Sequence, residues 1–340
     1  MDIWKVADSE TSDLKSTSSC LETTLLFLGN SNAGKTSLVL KFLERDETPK
    51  PTMGLEYTFG RRSKGSNMSK QIANIWELGG GTLLTDLINL PVTVDTLSTL
   101  SVVVVLDLSK PEELWTVLEQ IFGKLRQRVN EVMKEIKTKD KSTTAALQKK
   151  AWGKFGKDHP DRDMLDPLPV SLAIIGAKYD LFQSFDPEKK KTICKTLRFL
   201  AHIHGASLQF YTMKSDTLVV RTKQLLCHYA FQTSASHTMS MDYTKPLIVP
   251  AGCDALGQIG VPPIQQGELS HISAKKPIDL WKQAYCSLFP QTSSSPAGTN
   301  PCKDPRYAEK HIDSSRNLKD TELDKTRRSS SRSVAALFAV

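Results

Sequence analysis

Between the apolar run "TTLLFLG" and the amphipathic stretch "GKTSLVLKFLERD" the chain reads GNSNAGKT, and this junction limits the fold more than any other feature. Gly29, Gly34, Lys35 and Thr36 satisfy G-x-x-x-x-G-K-[ST] without substitution. From average residue frequencies such a match arises by chance in about one per cent of chains this long. The pattern needs a strand before it and a helix after it, because loop N–H groups and the helix N-terminus together cradle phosphate oxygens. Both neighbours are present: an apolar run ends at Gly29, and Leu38, Val39, Phe42 and Leu43 recur at helical spacing. Asn30, Ser31, Asn32 and Ala33 then form the loop between the two glycines. Lys35 is expected to reach β- and γ-phosphate oxygens and Thr36 to ligate Mg²⁺. The alternative is a loop kept, empty or occupied, because it makes this turn well.

The same strand-then-helix rhythm continues. "IANIWELGGG" is a second strand running into a glycine turn, "LSVVVVLDLS" a third, "VSLAIIGAKYD" a fourth and "ASLQFYTMK" a fifth. Runs that are apolar on both faces suit a parallel sheet covered on both sides. Helical stretches separate them, among them "PEELWTVLEQIFGKLRQRVNEVMKEI", "PEKKKTICKTLRFLAHIHG" ending at Gly205, and "TLVVRTKQLLCHYAFQ". Alternation of this kind implies right-handed crossovers and a doubly wound, mostly parallel α/β domain, with ligands at the carboxyl ends of the strands. The domain is expected to span residues 23–233. A leader over 1–22, rich in Ser, Thr and Asp, buries little. After residue 233 the rhythm stops: 234–290 reads as an irregular arm plus an amphipathic helix with Ile278, Trp281, Tyr285 and Leu288 on one stripe. That stripe either caps the core or binds a partner. Residues 291–340 read as a disordered tail.

Charge is unevenly placed. Residues 124–157 hold eleven Lys and Arg against three acids, a surplus as large as the +8 of the whole chain. This basic helical insertion, about 124–160, is either a solvated face or a docking surface for an acidic partner. No aromatic interleaving accompanies it, so nucleic acid is not expected as a partner. The six cysteines have no CxxC pair and no interleaved histidines, which argues against zinc and against a disulfide framework. No run approaches the roughly 18 apolar residues that cross a bilayer, and a soluble, intracellular protein is expected.

The order of elements resembles a Ras-like G domain. "KPTMG" puts Thr52 where such domains carry the threonine that senses the γ-phosphate. Their next strand ends in D-x-x-G; here Glu77, Leu78, Gly79 and Gly80 stand in that place, and Glu77 becomes the second candidate Mg²⁺ residue. The position that usually carries a water-orienting glutamine is Gly81, which has no side chain for the task. The guanine-reading N-K-x-D appears as Ala177, Lys178, Tyr179 and Asp180, so Lys178 and Asp180 remain to contact a base while the bracing asparagine is absent. Tyr211–Lys214 is an imperfect version of the last base-contacting loop. Asp107, at the end of "VVVVLD", reads as structural. The site would hold GDP or GTP with Mg²⁺, or stand empty, and hydrolysis is not expected.

Phrases outside these motifs narrow the resemblance. "PKPTMGLEYTFGRRSKG", "WELGGGTLLTDLINLP", "VVVVLDLSKPEELW", "KDHPDRDMLDPLPVSLAIIGAKYD" and "PLIVPAGCDALGQIG" resemble the light intermediate chains of cytoplasmic dynein 2, over about residues 23–290. The resemblance implies a non-catalytic subunit that docks on the dynein 2 heavy chain, stabilises it alongside the other dynein 2 subunits, and serves retrograde intraflagellar transport and cilium assembly. It implies a place in the cytoplasm and the cilium, at axoneme and basal body, with microtubules reached only through the motor. A small GTPase switch is the rival reading: Lys35, Thr36, Thr52 and Asp180 favour it, while Glu77, Gly81 and Ala177 oppose it.

Overall fold

The computed structural model describes residues 21–64, 69–156, 158–235, 238–263, 276–292 and 309–337. The expected leader lies almost wholly outside the described residues, as do parts of the arm and of the tail. Residues up to 294 form one unit and those from 295 a second.

In the first unit, β1 (Leu21–Gly29) runs into α1 (Lys35–Phe42). Then follow β2 (Leu55–Lys64), β3 (Ser69–Leu78), β4 (Leu100–Asp107), α2 (Pro111–Lys139), α3 (Lys141–Trp152), β5 (Ser171–Ala177), α4 (Pro187–His204), β6 (Ser207–Phe210), α5 (Asp216–Phe231), β7 (Ile248–Val249) and α6 (Pro277–Leu288). The sheet order is β2-β3-β1-β4-β5-β6-β7. The five inner strands are parallel and the two edge strands antiparallel. This is the mostly parallel, doubly wound Ras-like sheet expected. Sequence patterning missed β2 and β7. The first alternates exposed Tyr57, Phe59 and Arg61 with Thr58, Gly60 and Arg62, as an edge strand can; the second has only two residues.

Alternation along the strands builds two cores. Leu26, Leu28, Val102, Val104, Leu172 and Ile174 face α2, α4 and α6. Leu25, Phe27, Val103, Val105 and Ile175 face α1 and α5 through Leu38, Phe42, Leu226 and Phe231. The basic insertion belongs to the first of these: Leu125, Val129, Val132 and Ile136 of α2 are buried, with Leu147 and Ala151 of α3. Its charge rides on the outer faces of two helices whose inner faces are core.

The arm is tied down by a buried ion pair. Arg198 on α4 donates to both carboxylate oxygens of Asp254, at 2.8 and 2.7 Å. Next to it the His202 ring meets Asp161 at 2.9 Å, and Asp161 also accepts the Leu256 N–H at 2.7 Å. Of the two readings of α6, the core cap is the one found. Trp281 is buried and stacks on Phe199 with ring centroids 4.5 Å apart, and buried Tyr285 donates its hydroxyl to the Pro111 carbonyl at 2.8 Å.

The tail departs from expectation. In the second unit, α7 (Lys310–Leu337) is helical where the composition reads as disorder. Its own pairs support it, with Lys319 against Glu322 at 2.8 Å and the hydroxyls of Ser314 and Thr321 bonded back to carbonyls four residues earlier. Among the described residues no helix is long and apolar enough to cross a membrane, and Cys194, Cys227, Cys253 and Cys286 are free thiols.

Removing the Trp281 ring leaves a cavity over Phe199. Trp281→Ala should lower unfolding stability by about 3–5 kcal/mol in urea titrations of the full chain. A loss under about 1 kcal/mol would mean that α6 is not part of the core.

Candidate nucleotide-binding site

The loop after β1 is built on positions that only small or permissive residues can occupy. Gly29 has φ +139°, and a Cβ there would lie 2.0 Å from the Val105 carbonyl oxygen of β4. Asn32 and Gly34 also take positive φ, at +60° and +94°, and Gly34 caps α1. The turn is closed by Ala33 N–H to Asn30 C=O at 3.3 Å, with Ala33 buried beneath it. The Ser31 N–H bonds the Asn30 amide oxygen at 3.0 Å, and the Asn30 amide donates to Glu113 on α2. Lys35 lies back over its own loop, donating to the carbonyls of Gly29 at 3.2 Å and Asn30 at 2.9 Å. Burial lowers its pKa and nearby Glu77 opposes that shift. Two carbonyls leave one of three ammonium hydrogens for a further acceptor.

Beside this loop three oxygen-bearing side chains converge. The Thr36 hydroxyl donates to Glu77 Oε1 at 2.6 Å. Thr52 Oγ1 lies 3.2 Å from the same oxygen, 3.1 Å from Glu56 Oε2 and 3.5 Å from Thr36 Oγ1. Burial pushes the Glu77 carboxyl up, opposed by the Thr36 hydrogen bond and by Lys35. A hydroxyl that gives its hydrogen to a carboxylate keeps its lone pairs for a cation, so this hard-oxygen set fits Mg²⁺. Thr36, Thr52 and Glu77 would hold the ion, which would neutralise phosphate charge.

The three glycines after Leu78 have separate tasks. The Gly79 N–H donates to the Gly54 carbonyl at 2.6 Å. A Cβ on Gly79 would sit 2.1 Å from the Thr52 carbonyl oxygen, so the two loops touch backbone to backbone. Gly80 and Gly81 turn the chain with φ +70° and +64°. Gly81 passes next to the phosphate loop, where a Cβ would lie 3.0 Å from Asn30 Oδ1. Gly81, expected at the water-orienting position, therefore lies beside the loop and brings no side chain there.

At the other end of the site, Lys178 takes φ +58° and its ammonium meets Asp107 at 2.5 Å. Asp107 is buried and also accepts from the Ser109 N–H and hydroxyl, at 3.0 and 2.5 Å. Sequence reasoning set Asp107 apart from the site; the structure makes it the tether of Lys178, and its place at the end of β4 was the available signal. Asp180 accepts the Thr212 hydroxyl at 2.8 Å and pairs with Lys214 at 2.7 Å, contacts that hold its carboxyl below the usual range, Lys214 first. The Tyr211–Lys214 loop thus reaches Asp180, brought there by bonds from Tyr179 N–H to Tyr211 C=O and from Tyr211 N–H to Gly176 C=O. Gly29 through Thr36 form the loop, Thr52 meets Thr36 beside it, Gly80 turns the chain toward Gly81 at its edge, and Lys178 and Asp180 form a second group at the end of β5.

Known proteins give this arrangement a family. Residues 1–170 match the dynein light intermediate chain family. The chain is 48% identical over 314 residues to cytoplasmic dynein 2 light intermediate chain 1 of Bos taurus, covering 92% of this chain and 89% of that one. Over 338 residues it is 45% identical to the Mus musculus protein of the same name, covering 97% and 96%. The Homo sapiens protein is 46% identical over 311 residues, covering 91% and 88%. Among solved structures, the crystal structure of the dynein light intermediate chain's conserved domain shares the fold with a TM-score of 0.51 and 15% identity, covering 79% of this chain and 90% of that one. The chain belongs to the dynein light intermediate chain family.

The contact between Gly79 and Thr52 should be intolerant of a methyl group. Gly79→Ala is expected to cost about 1–3 kcal/mol, as overpacking does, while Gly54→Ala, with open space at its Cβ, should cost less than half as much. Equal losses in urea titrations of the two variants would contradict the geometry.

Proposed function

We propose that this chain is a non-catalytic subunit of the cytoplasmic dynein 2 motor. It docks on the heavy chain, stabilises it, and so supports retrograde intraflagellar transport and cilium assembly. The observation that carries this reading is identity of 45–48% over nine-tenths or more of the chain to relatives named as dynein 2 light intermediate chains. On this reading the chain works in the cytoplasm and at the axoneme and basal body of the cilium. It meets microtubules only through the motor, and neither nucleic acid nor a membrane span enters its task.

Within that role the phosphate loop binds GDP or GTP with Mg²⁺ as a ligand of the fold. Gly29 to Thr36 cradle phosphates, Thr36, Thr52 and Glu77 hold the ion, and Lys178 and Asp180 meet the base. Two features support binding without turnover. Phosphoryl transfer to water needs a group that orients the nucleophile, and Gly81 has none. The Thr52 loop is also pinned at Gly79 and Glu77, which suits a fixed surface better than a segment that must leave. The GTPase-switch reading retains Lys35, Thr36, Thr52 and Asp180 in its favour, so the test must separate the two.

The full chain, tagged and purified from ciliated cells, should bring down the dynein 2 heavy chain and release GDP or GTP on denaturation. Lys35→Ala should release none and still retain the heavy chain. Loss of heavy-chain recovery from the parent would refute the subunit reading. Single-turnover GTP hydrolysis at the rate of ordinary intrinsic GTPases, with heavy-chain affinity differing about tenfold or more between GDP and a GTP analogue, would establish the switch instead.

A further inference from the structure

The hairpin made by α2 and α3 carries Lys134, Lys137, Lys139, Lys141, Lys149 and Lys150, all solvent exposed. Nearer the start of α2 the cations are paired: Lys124 with Asp86 at 2.9 Å, Arg126 with Asp166 at 2.7 Å and Arg128 with Glu131 at 3.5 Å. Past Arg128 the pattern changes. Among the described residues none of those six lysines forms an ion pair, and Lys150 alone has a side-chain hydrogen bond, to the Ser98 carbonyl at 3.1 Å.

The nearby acids are few. Glu131 accepts from Gln127 at 3.1 Å as well as pairing with Arg128. Asp140 caps α3, accepting from the Thr143 hydroxyl at 2.5 Å and from the Ser142 hydroxyl and N–H at 2.7 and 2.8 Å. Glu135 and Asp140, whose carboxylate stays ionised while it accepts from neutral donors, are left against six ammonium groups. The charge also sits on a fixed frame, since Val132, Ile136 and Leu147 on the inner faces are buried in the core. Its concentration is therefore a property of the folded chain and is not lost to side-chain wandering at a frayed end.

From this we infer that the hairpin is a landing surface for an acidic polypeptide segment of a partner protein. Lys141 and Lys149 of α3 are eight residues apart, roughly 12 Å along the helix axis, so they stand at opposite ends of a strip that an extended segment of about four residues covers. The exposed residues between the lysines are small or polar, among them Thr138, Ser142, Ala145 and Gln148. A membrane-surface helix would set bulky apolar side chains beside its lysines. A single-stranded nucleic acid would call for exposed aromatic rings to stack on. The exposed cations are lysines throughout, point charges suited to a run of carboxylates, where arginine forks would favour phosphates. Such a surface raises encounter rates and selects by charge, and it weakens with salt.

The test uses the full-length chain and a fluorescein-labelled ten-residue glutamate peptide, followed by anisotropy in about 50 mM salt, where screening is weak. The parent should bind, with affinity falling steeply as salt rises. Lys134→Glu/Lys137→Glu/Lys141→Glu should weaken binding by about tenfold or more. Lys41→Glu/Lys70→Glu/Lys189→Glu, an equal change in net charge outside the hairpin, should leave it within about twofold. Circular dichroism melts matching the parent's would confirm that both variants fold. The inference is overturned if the parent fails to bind, if both triple variants lose affinity equally, or if the hairpin variant binds like the parent. It is overturned too if phosphatidylserine vesicles or a single-stranded oligonucleotide bind the hairpin more tightly than the peptide in the same buffer.

Discussion

Parallel registry of β1 with β3 and β4 is the constraint from which the site and both cores follow. Phe27 lies level with Glu77 on one side and Val103 on the other, and Gly29 lies level with Val105. Side chains alternate faces with a period of two, so a slip of one residue would turn Leu25 and Phe27 into the wrong core and carry Leu26 and Leu28 out of theirs. The same slip would draw Glu77 away from Thr36. Burial of apolar surface and convergence of the site are thus one requirement, and it is sealed where β1 ends. The backbone at Gly29 runs so close to the Val105 carbonyl that no Cβ fits, and this close passage aims the loop across the strand ends.

Around that loop the chain spends its polar side chains on one another. Glu77 gathers two threonines, Asp107 holds Lys178, Thr212 and Lys214 hold Asp180, and Lys35 lies on its own carbonyls. Each pairing lessens the cost of keeping a charged or hydroxyl group away from water. Each is also made by a group that could turn to a phosphate, a cation or a base in the same place. A conventional nucleotide switch depends on loops that leave when the γ-phosphate goes. Here the loop at Thr52 is held at its backbone by Gly79 and Gly54 as well as by its hydroxyl, so part of its anchorage does not involve any ligand.

The central strands and helices were legible because apolar runs and helical spacing are local signals that burial on both faces strengthens. The phosphate loop was legible because its glycines, lysine and threonine sit at fixed offsets. What escaped had no local signal. The edge strand β2 is half exposed and interrupted by Gly60, and β7 is two residues long, so neither carries a period to detect. Asp107 reads as an ordinary strand-end carboxylate until the β4–β5 pairing sets it against Ala177 and brings Lys178 within reach. The helical tail escaped for the opposite reason: Ser, Lys and Arg lower its hydropathy to that of a disordered segment while leaving its helix propensity intact. The stripe on α6 was visible as amphipathic, but only the stacking of Trp281 on Phe199 tells a core cap from a docking helix.

On the proposed reading, a phosphate loop without a water-orienting residue suits a subunit whose work is to present surfaces. A ligand bound by the folded state alone stabilises it by RT ln(1 + [L]/Kd), about 2.7 kcal/mol at a hundredfold excess over Kd. That is a sizeable part of the 5–15 kcal/mol by which domains are usually stable. The benefit persists only while the ligand stays. Hydrolysis followed by exchange would make the stability of the sheet, and of every surface mounted on it, depend on nucleotide state. One such surface is tied to the loop through a helix: α2 starts four residues after Asp107 and supplies Glu113 to Asn30, and its far end carries the unpaired lysines. A chain that bound nucleotide and did not turn it over would keep that geometry constant, which a switch could not do.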